Sequence, residues 1–149
     1  MTGTTHANAL LIGETGLLLR GPPGSGKSAL SFMLIEAERR RERFARLIGD
    51  DRVQLENLNG RLLARAHPLT LGLIELRGLG LARLPFEPLG VIRGVIDLAP
   101  SGAPLPRLPD PEEEASSLCG VRLPKRLFSL ADAALLEKVS LFIQLIERK

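Results

Sequence analysis

The chain has 149 residues, 44% of them apolar, a formal net charge of +3, one cysteine and neither Trp nor Tyr. That length reads as one domain, residues 1–149, with enough apolar content for a sizeable core, which excludes a disordered polymer. The small charge excess and the scarcity of aromatics exclude a nucleic-acid footprint or base-stacking platform. Cys119 alone permits neither an internal disulfide nor a cysteine zinc cluster. No uninterrupted apolar run reaches membrane-spanning length, and no basic run precedes the first apolar stretch. A cytoplasmic protein without a membrane partner is therefore expected.

In chain order, Ala9–Ile12 and Leu17–Leu19 read as two short strands around the turn Gly13-Glu14-Thr15-Gly16. Helical spacing of Leu30, Met33, Leu34 and Ala37 predicts a helix from Lys27 to about Arg46. Its run Glu38-Arg39-Arg40-Arg41-Glu42-Arg43 reads as a solvated face. Leu47-Ile48 then forms a strand ending at Gly49-Asp50-Asp51. Val53–Leu55 and Arg61–Ala64 form a hairpin around Asn59-Gly60, a strong turn signal. Leu71–Leu76 and Val91–Leu98 are further apolar stretches, the latter a buried strand. The proline-rich Ala99–Pro111 is an extended loop, followed by the acidic Glu112–Glu114. Ser129 is placed to cap a last helix through about Ile146, with Leu130, Ala134, Val139, Phe142 and Ile146 available for packing.

The informative stretch is GPPGSGKS, residues 21–28, between an apolar strand and an amphipathic helix. A polyphosphate needs many donors at short range. Glycines let the backbone N–H groups converge on it, and the following helix adds its positive end. In the motif G-x-x-x-x-G-K-[ST], Lys27 supplies a point charge for the β and γ phosphates, and the Ser28 hydroxyl is a Mg²⁺ ligand. Gly21, Pro22, Pro23, Gly24, Ser25, Gly26, Lys27 and Ser28 are the expected nucleotide-binding residues.

Other polar residues are open to two readings. Asp50 and Asp51 either divide proton acceptance and metal or partner orientation between them, or form an ordinary turn after a strand. His6 either braces an acidic catalytic residue, or positions phosphate, or is plain surface. Glu75, inside IELRGLG, completes a Mg²⁺ site with Ser28, or faces solvent opposite Ile74, or pairs with Arg77. Arg107 reaches over a phosphate or is a surface arginine. His67 is assigned nothing.

The order THANALLIGETGLLLRGPPGSGKSAL, then LIGDDRVQLE, then LIELRGLGLARLPFE resembles the catalytic domain of HPr kinase/phosphorylase, and more closely its short alphaproteobacterial form. The phosphate loop is generic; E-x-R-G-x-G downstream of an Asp-Asp strand end is far more specific. The resemblance implies an α/β P-loop kinase fold related to the PEP carboxykinases, with a mixed central sheet and flanking helices. It implies ATP- and Mg²⁺-dependent phosphorylation of a serine on HPr or a related phosphocarrier, and the reverse phosphorylase reaction in many members. It suggests a homo-oligomer.

By the same resemblance, His6 matches the active-site histidine, Lys27 the catalytic lysine, and Ser28 and Glu75 the Mg²⁺ ligands. Asp51 matches the acceptor of the serine proton, Asp50 its neighbour, and Arg107 the active-site arginine. Two departures stand out. LPKRLFSLADAAL lacks the P-G-R-N-like segment linked to phosphorylase activity in longer members, and Ala29 stands where those commonly have Glu. A P-loop kinase for a small metabolite and a non-catalytic nucleotide-binding regulatory module remain the alternative readings.

Overall fold

The computed structural model describes residues 2–148. Strands β1 (Thr2–Thr5), β2 (Asn8–Ile12) and β3 (Thr15–Arg20) lead into helix α1 (Lys27–Arg40). Strands β4 (Ala45–Gly49), β5 (Val53–Leu58) and β6 (Arg61–Ala66) follow, then a small hairpin of β7 (Leu73–Leu76) and β8 (Gly80–Arg83). The long β9 (Leu89–Leu98), the hairpin β10 (Ala115–Leu118) and β11 (Val121–Phe128), and helix α2 (Leu135–Glu147) complete the chain.

The main sheet runs β1-β5-β6-β9-β3-β2-β4, and β11 also joins β9. It is mixed, as expected: β9 pairs in parallel with β3 and β11 and antiparallel with β6. One edge of β9 is continuous with β3. Its other edge is divided, Leu89–Ile92 bonding to β6 and Val95–Leu98 to β11. Strands paired on both sides and covered on both faces read as largely apolar runs: Leu17–Leu19 is unbroken, and Val91–Leu98 is interrupted by Arg93, Gly94 and Asp97.

Alternation along β3 sends Leu17 and Leu19 to one face and Leu18 to the other. On the first face they meet Leu30, Leu34 and Ile35 of α1 and Leu135, Val139, Phe142, Ile143 and Ile146 of α2, so both helices cover the same side. The opposite core, around Ala9, Leu18, Ile48, Leu62, Ile92 and Val95, is built from strand residues with Leu123 of β11.

Several expectations need correction. α1 stops at Arg40, not near Arg46, because Glu42 takes a left-handed φ of 56° and the chain reverses into β4. The Glu42 N–H donates to the Arg39 carbonyl and the Arg43 N–H to the Glu38 carbonyl, a Schellman end built without glycine. Ser129 does not cap the last helix. α2 starts later, after Ala134, and Asp132 Oδ1 accepts the Ala134 N–H at 2.9 Å. Leu130 therefore lies outside the helix and packs over Gly26 instead, while Ala134 is exposed. Strands β1, β8, β10 and β11 were not anticipated. The hairpin at Asn59-Gly60 is as expected, with φ of 53° and 84° at its two turn residues.

Gly16 sits at the irregularity where β3 joins β9, and a Cβ there would lie 2.0 Å from the Val91 carbonyl oxygen. Neither backbone has room to yield. Gly16→Ala is expected to cost about 3 kcal/mol or more, at the upper end for overpacking, seen as a lower urea midpoint or loss of soluble protein. A midpoint equal to wild type would refute the tight β3–β9 junction.

Candidate functional site

Three strand ends meet at one place. β2 runs antiparallel to β3, so its first residue, Asn8, lies opposite Leu19 near the end of β3. β4 runs antiparallel to β2 and finishes with Gly49 opposite Ala9. The chain therefore delivers the start of β2, the phosphate loop after β3 and the Asp50-Asp51 turn after β4 to a common corner.

The loop is shaped by close approaches. A Cβ on Gly21 would fall 2.4 Å from Ser25 Oγ and 3.0 Å from the Leu98 carbonyl oxygen. Gly26, with φ of 101°, begins α1 beneath Leu130, whose Cδ2 is 2.4 Å from where a Cβ would be. The Lys27 ammonium donates to the Gly21 carbonyl at 3.0 Å. Ser25 is buried beneath the loop, and its Oγ has no hydrogen-bond partner.

Asp50 is the hub. Its Oδ1 accepts from the Ser28 hydroxyl at 2.6 Å and from Asn8 Nδ2 at 2.8 Å, and its Oδ2 accepts the Glu75 backbone N–H at 2.9 Å. Asp51 is held in a left-handed conformation, φ 65°, by its N–H donating to Asn8 Oδ1 at 2.8 Å and its carbonyl accepting the Ala7 N–H at 3.1 Å. A non-glycine residue in that region is costly and recurs at functional sites.

Lys27, Ser28, Asp50, Asp51, Glu75 and Arg77 line one cleft of about 890 Å³, whose far wall is the β7–β8 turn. A second cleft of about 880 Å³, between the end of α1 and α2, contains neither the loop nor the Asp pair. Oxygen donors and a lysine at a helix start single out the first.

Ile74 is buried and Glu75 exposed, as strand alternation requires, and the Glu75 side chain forms no ion pair with Arg77. His6 is exposed in the turn between β1 and β2. The bonds that brace Asp51 come from Asn8 and Ala7, not from the His6 ring. Arg107 is exposed on the loop between β9 and β10 and does not line the cleft. The residue that sequence reasoning missed is Asn8. It is fully buried, and its only signal was an amide inside an apolar strand.

Comparison with known proteins shows the family. The sequence model of the HPr Serine kinase C-terminal domain matches residues 1–85, more than half of the chain. The chain belongs to the HPr serine kinase C-terminal domain family. It is 39% identical over 80 residues to the HPr kinase/phosphorylase of Mycoplasma mycoides subsp. mycoides SC, a match covering 54% of this chain and 24% of that protein. It is 34% identical over 76 residues to the HPr kinase/phosphorylase of Clostridium beijerinckii, covering 51% and 23%. The matched segments thus span about a quarter of the length of these curated relatives.

The structure of the Hpr(Ser) kinase/phosphatase from Coxiella burnetii superposes with a TM-score of 0.73 at 28% identity, covering 98% of this chain and 94% of that one. The family match contains His6, the phosphate loop, Asp50, Asp51 and Glu75; Arg107 lies beyond it.

Removing the hub should be felt in stability. Asp50→Ala removes one acceptor of the buried Asn8 amide, which keeps Ser31, and the acceptor of the exposed Glu75 N–H, which water can replace. A loss of about 1–3 kcal/mol is expected, the cost of one buried donor left short. Urea denaturation at unchanged slope reads it, and a variant as stable as wild type would remove Asp50 from the centre of the network.

Proposed function

We propose that this chain is the catalytic domain, residues 1–149, of an ATP- and Mg²⁺-dependent protein-serine kinase acting in the cytoplasm on HPr or a related phosphocarrier. One observation carries this: the lysine and serine of a phosphate loop share a cleft with an acid pair and a glutamate, and the Asp50 carboxylate ties Ser28 to the Glu75 backbone. Family membership and relatives known as HPr kinase/phosphorylases support the carrier as substrate.

A serine hydroxyl is a poor nucleophile. In this reading, Asp51 accepts its proton while the serine oxygen bonds to the γ-phosphorus and the bond to the ADP oxygen breaks, leaving phosphoserine, ADP and a protonated Asp51. The N–H groups of Gly21–Ser28 and the start of α1 bind the phosphates, and the Lys27 ammonium counters their charge. Ser28, Asp50 and Glu75 line the same cleft and carry the hard oxygen donors that Mg²⁺ takes. When bound there, the ion supplies positive charge against the transferring phosphoryl. His6 lies beside the Asp51 turn, and its role as the active-site histidine next to that base rests on the family resemblance. Arg107, on the loop that leaves β9 next to Gly21, is assigned to the phosphoryl from outside the cleft.

The test incubates pure protein with labelled ATP, Mg²⁺ and HPr, its nitrogen-system paralogue or a metabolite panel, locating phosphoserine by mass. Phosphorylated carrier with inorganic phosphate tests the reverse reaction. Labelling of a metabolite instead of a carrier would replace the protein-kinase reading, and nucleotide binding without transfer would favour a regulatory module.

Two variants sharpen it. Lys27→Ala is expected to lower transfer at least about 100-fold, as losing a preorganised charge does; unchanged turnover would reject the loop assignment. Asp51→Asn is expected to bind ATP as wild type does while losing about 10²–10⁴-fold in phosphoserine formation, the usual scale of a general base. Wild-type labelling by that variant would remove Asp51 as the base.

A further inference from the structure

Asn8 opens β2 with no exposed surface, among Ala7, Ala9 and Leu10, where an apolar residue would need no partner. A buried amide is unfavourable unless its groups are bonded. Here both kinds are. Nδ2 donates to Asp50 Oδ1 at 2.8 Å and to Ser31 Oγ at 3.0 Å, with Ser28 Oγ further off at 3.5 Å. Oδ1 accepts the Asp51 N–H at 2.8 Å. Ser31 in turn donates to the Lys27 carbonyl at 2.8 Å, so the amide also touches the first turn of α1.

From these contacts we infer that Asn8 is a positioning residue for phosphoryl transfer. It fixes the rotamer of the Asp50 carboxylate and the left-handed backbone of Asp51, so that the base and the Ser28–Asp50 pair face the same phosphoryl. The inference rests on the kinase reading above and assigns a role to a residue outside the motif.

The geometry explains why an amide is required. A carboxylate at a strand end can rotate about its Cα–Cβ bond. Asp50 is stopped from doing so by donors on both oxygens, Asn8 and Ser28 on one and the Glu75 N–H on the other. Asp51 needs an acceptor for the N–H that its unusual φ turns inward. Only a side chain with donor and acceptor on the same carbon serves both neighbours at once. Leucine fills similar space and serves neither. Misplacing a reacting group by an ångström can cost about 10²-fold in rate.

The experiment compares Asn8→Leu, Asp51→Asn and the double variant. Asn8→Leu is expected to lower kcat about 30–100-fold while KM for ATP stays within about threefold, because Lys27 and the loop amides are untouched. The double variant is expected to be slower than Asp51→Asn by less than the full Asn8→Leu factor, since the part of the effect that runs through Asp51 is lost with that carboxylate while the part that runs through Asp50 remains. Losses that multiply would mark Asn8 as merely structural and overturn the inference.

Amide hydrogen exchange without substrate supplies an independent readout. The Asp51 and Glu75 amides are expected to lose protection in Asn8→Leu while the β3–β9 ladder keeps its own. The Glu75 amide is decisive, because Asn8 reaches it only through the Asp50 carboxylate. Unchanged protection there overturns the inference. Should the wild-type protein transfer phosphate to nothing, the kinase reading falls and exchange alone decides the role of Asn8. If Asn8→Leu shows no cooperative melting, Ser31→Ala carries the test by removing one anchor of the amide. A kcat lower by about threefold to tenfold with weaker Glu75 protection supports the inference, and wild-type behaviour in both overturns it.

Discussion

The parallel pairing of β3 with β9 is the constraint on which the rest depends. Leu17–Arg20 runs beside Gly94–Asp97, buried on both faces, so the end of β3 cannot shift without dragging the core. Arg20 and Asp97 fasten the two strand ends by a forked contact, Nε to Oδ1 at 2.8 Å and Nη2 to Oδ2 at 3.0 Å. Both groups are partly exposed, so their energetic weight is modest. The value of the contact lies in direction: it fixes where the chain leaves the sheet, and Gly21 turns against the Leu98 carbonyl immediately afterwards.

From that fixed exit the site follows by hydrogen bonding more than by apolar packing. α1 begins at Lys27 and presents Ser28 and Ser31 inward, while the first residue of β2 and the turn after β4 arrive from the neighbouring strands. The bonds that join them converge on one carboxylate and one amide. In a buried setting each such bond is stronger than in water, and each missing partner costs more. Phosphate loop, acid pair and the β7–β8 hairpin therefore behave as one unit.

Much of this was legible in the sequence. The Gly-rich loop, the Asp-Asp strand end and E-x-R-G-x-G carry their chemistry in residue type and spacing, and β9 shows itself in the apolar pairs Val91-Ile92 and Val95-Ile96. What was not legible has physical causes. β1, Thr2–Thr5, has no apolar pattern because it forms the outer edge of the sheet, bonded to β5. β11 contains Pro124, which argues against a strand paired along its length. Pro124 marks the place where β11 leaves β10 for β9, whose pairing starts at Lys125. The end of α1 lacks the usual glycine because Glu42 takes its place. Asn8 gave only the signal of an amide in an apolar strand, because its partners lie in α1 and in the turn after β4, a long way off in sequence.

Sequence likeness and mechanical independence part company in this fold. The family model stops at residue 85, yet the strand lying between β3 and β6 is β9, residues 89–98, which comes after it. A fragment ending where recognisable kinship ends would leave β3 and β6 each with a bare row of amides and carbonyls, the kind of raw border that invites polymerisation. The stretch beyond the family match thus supplies the central strand of the stretch within it.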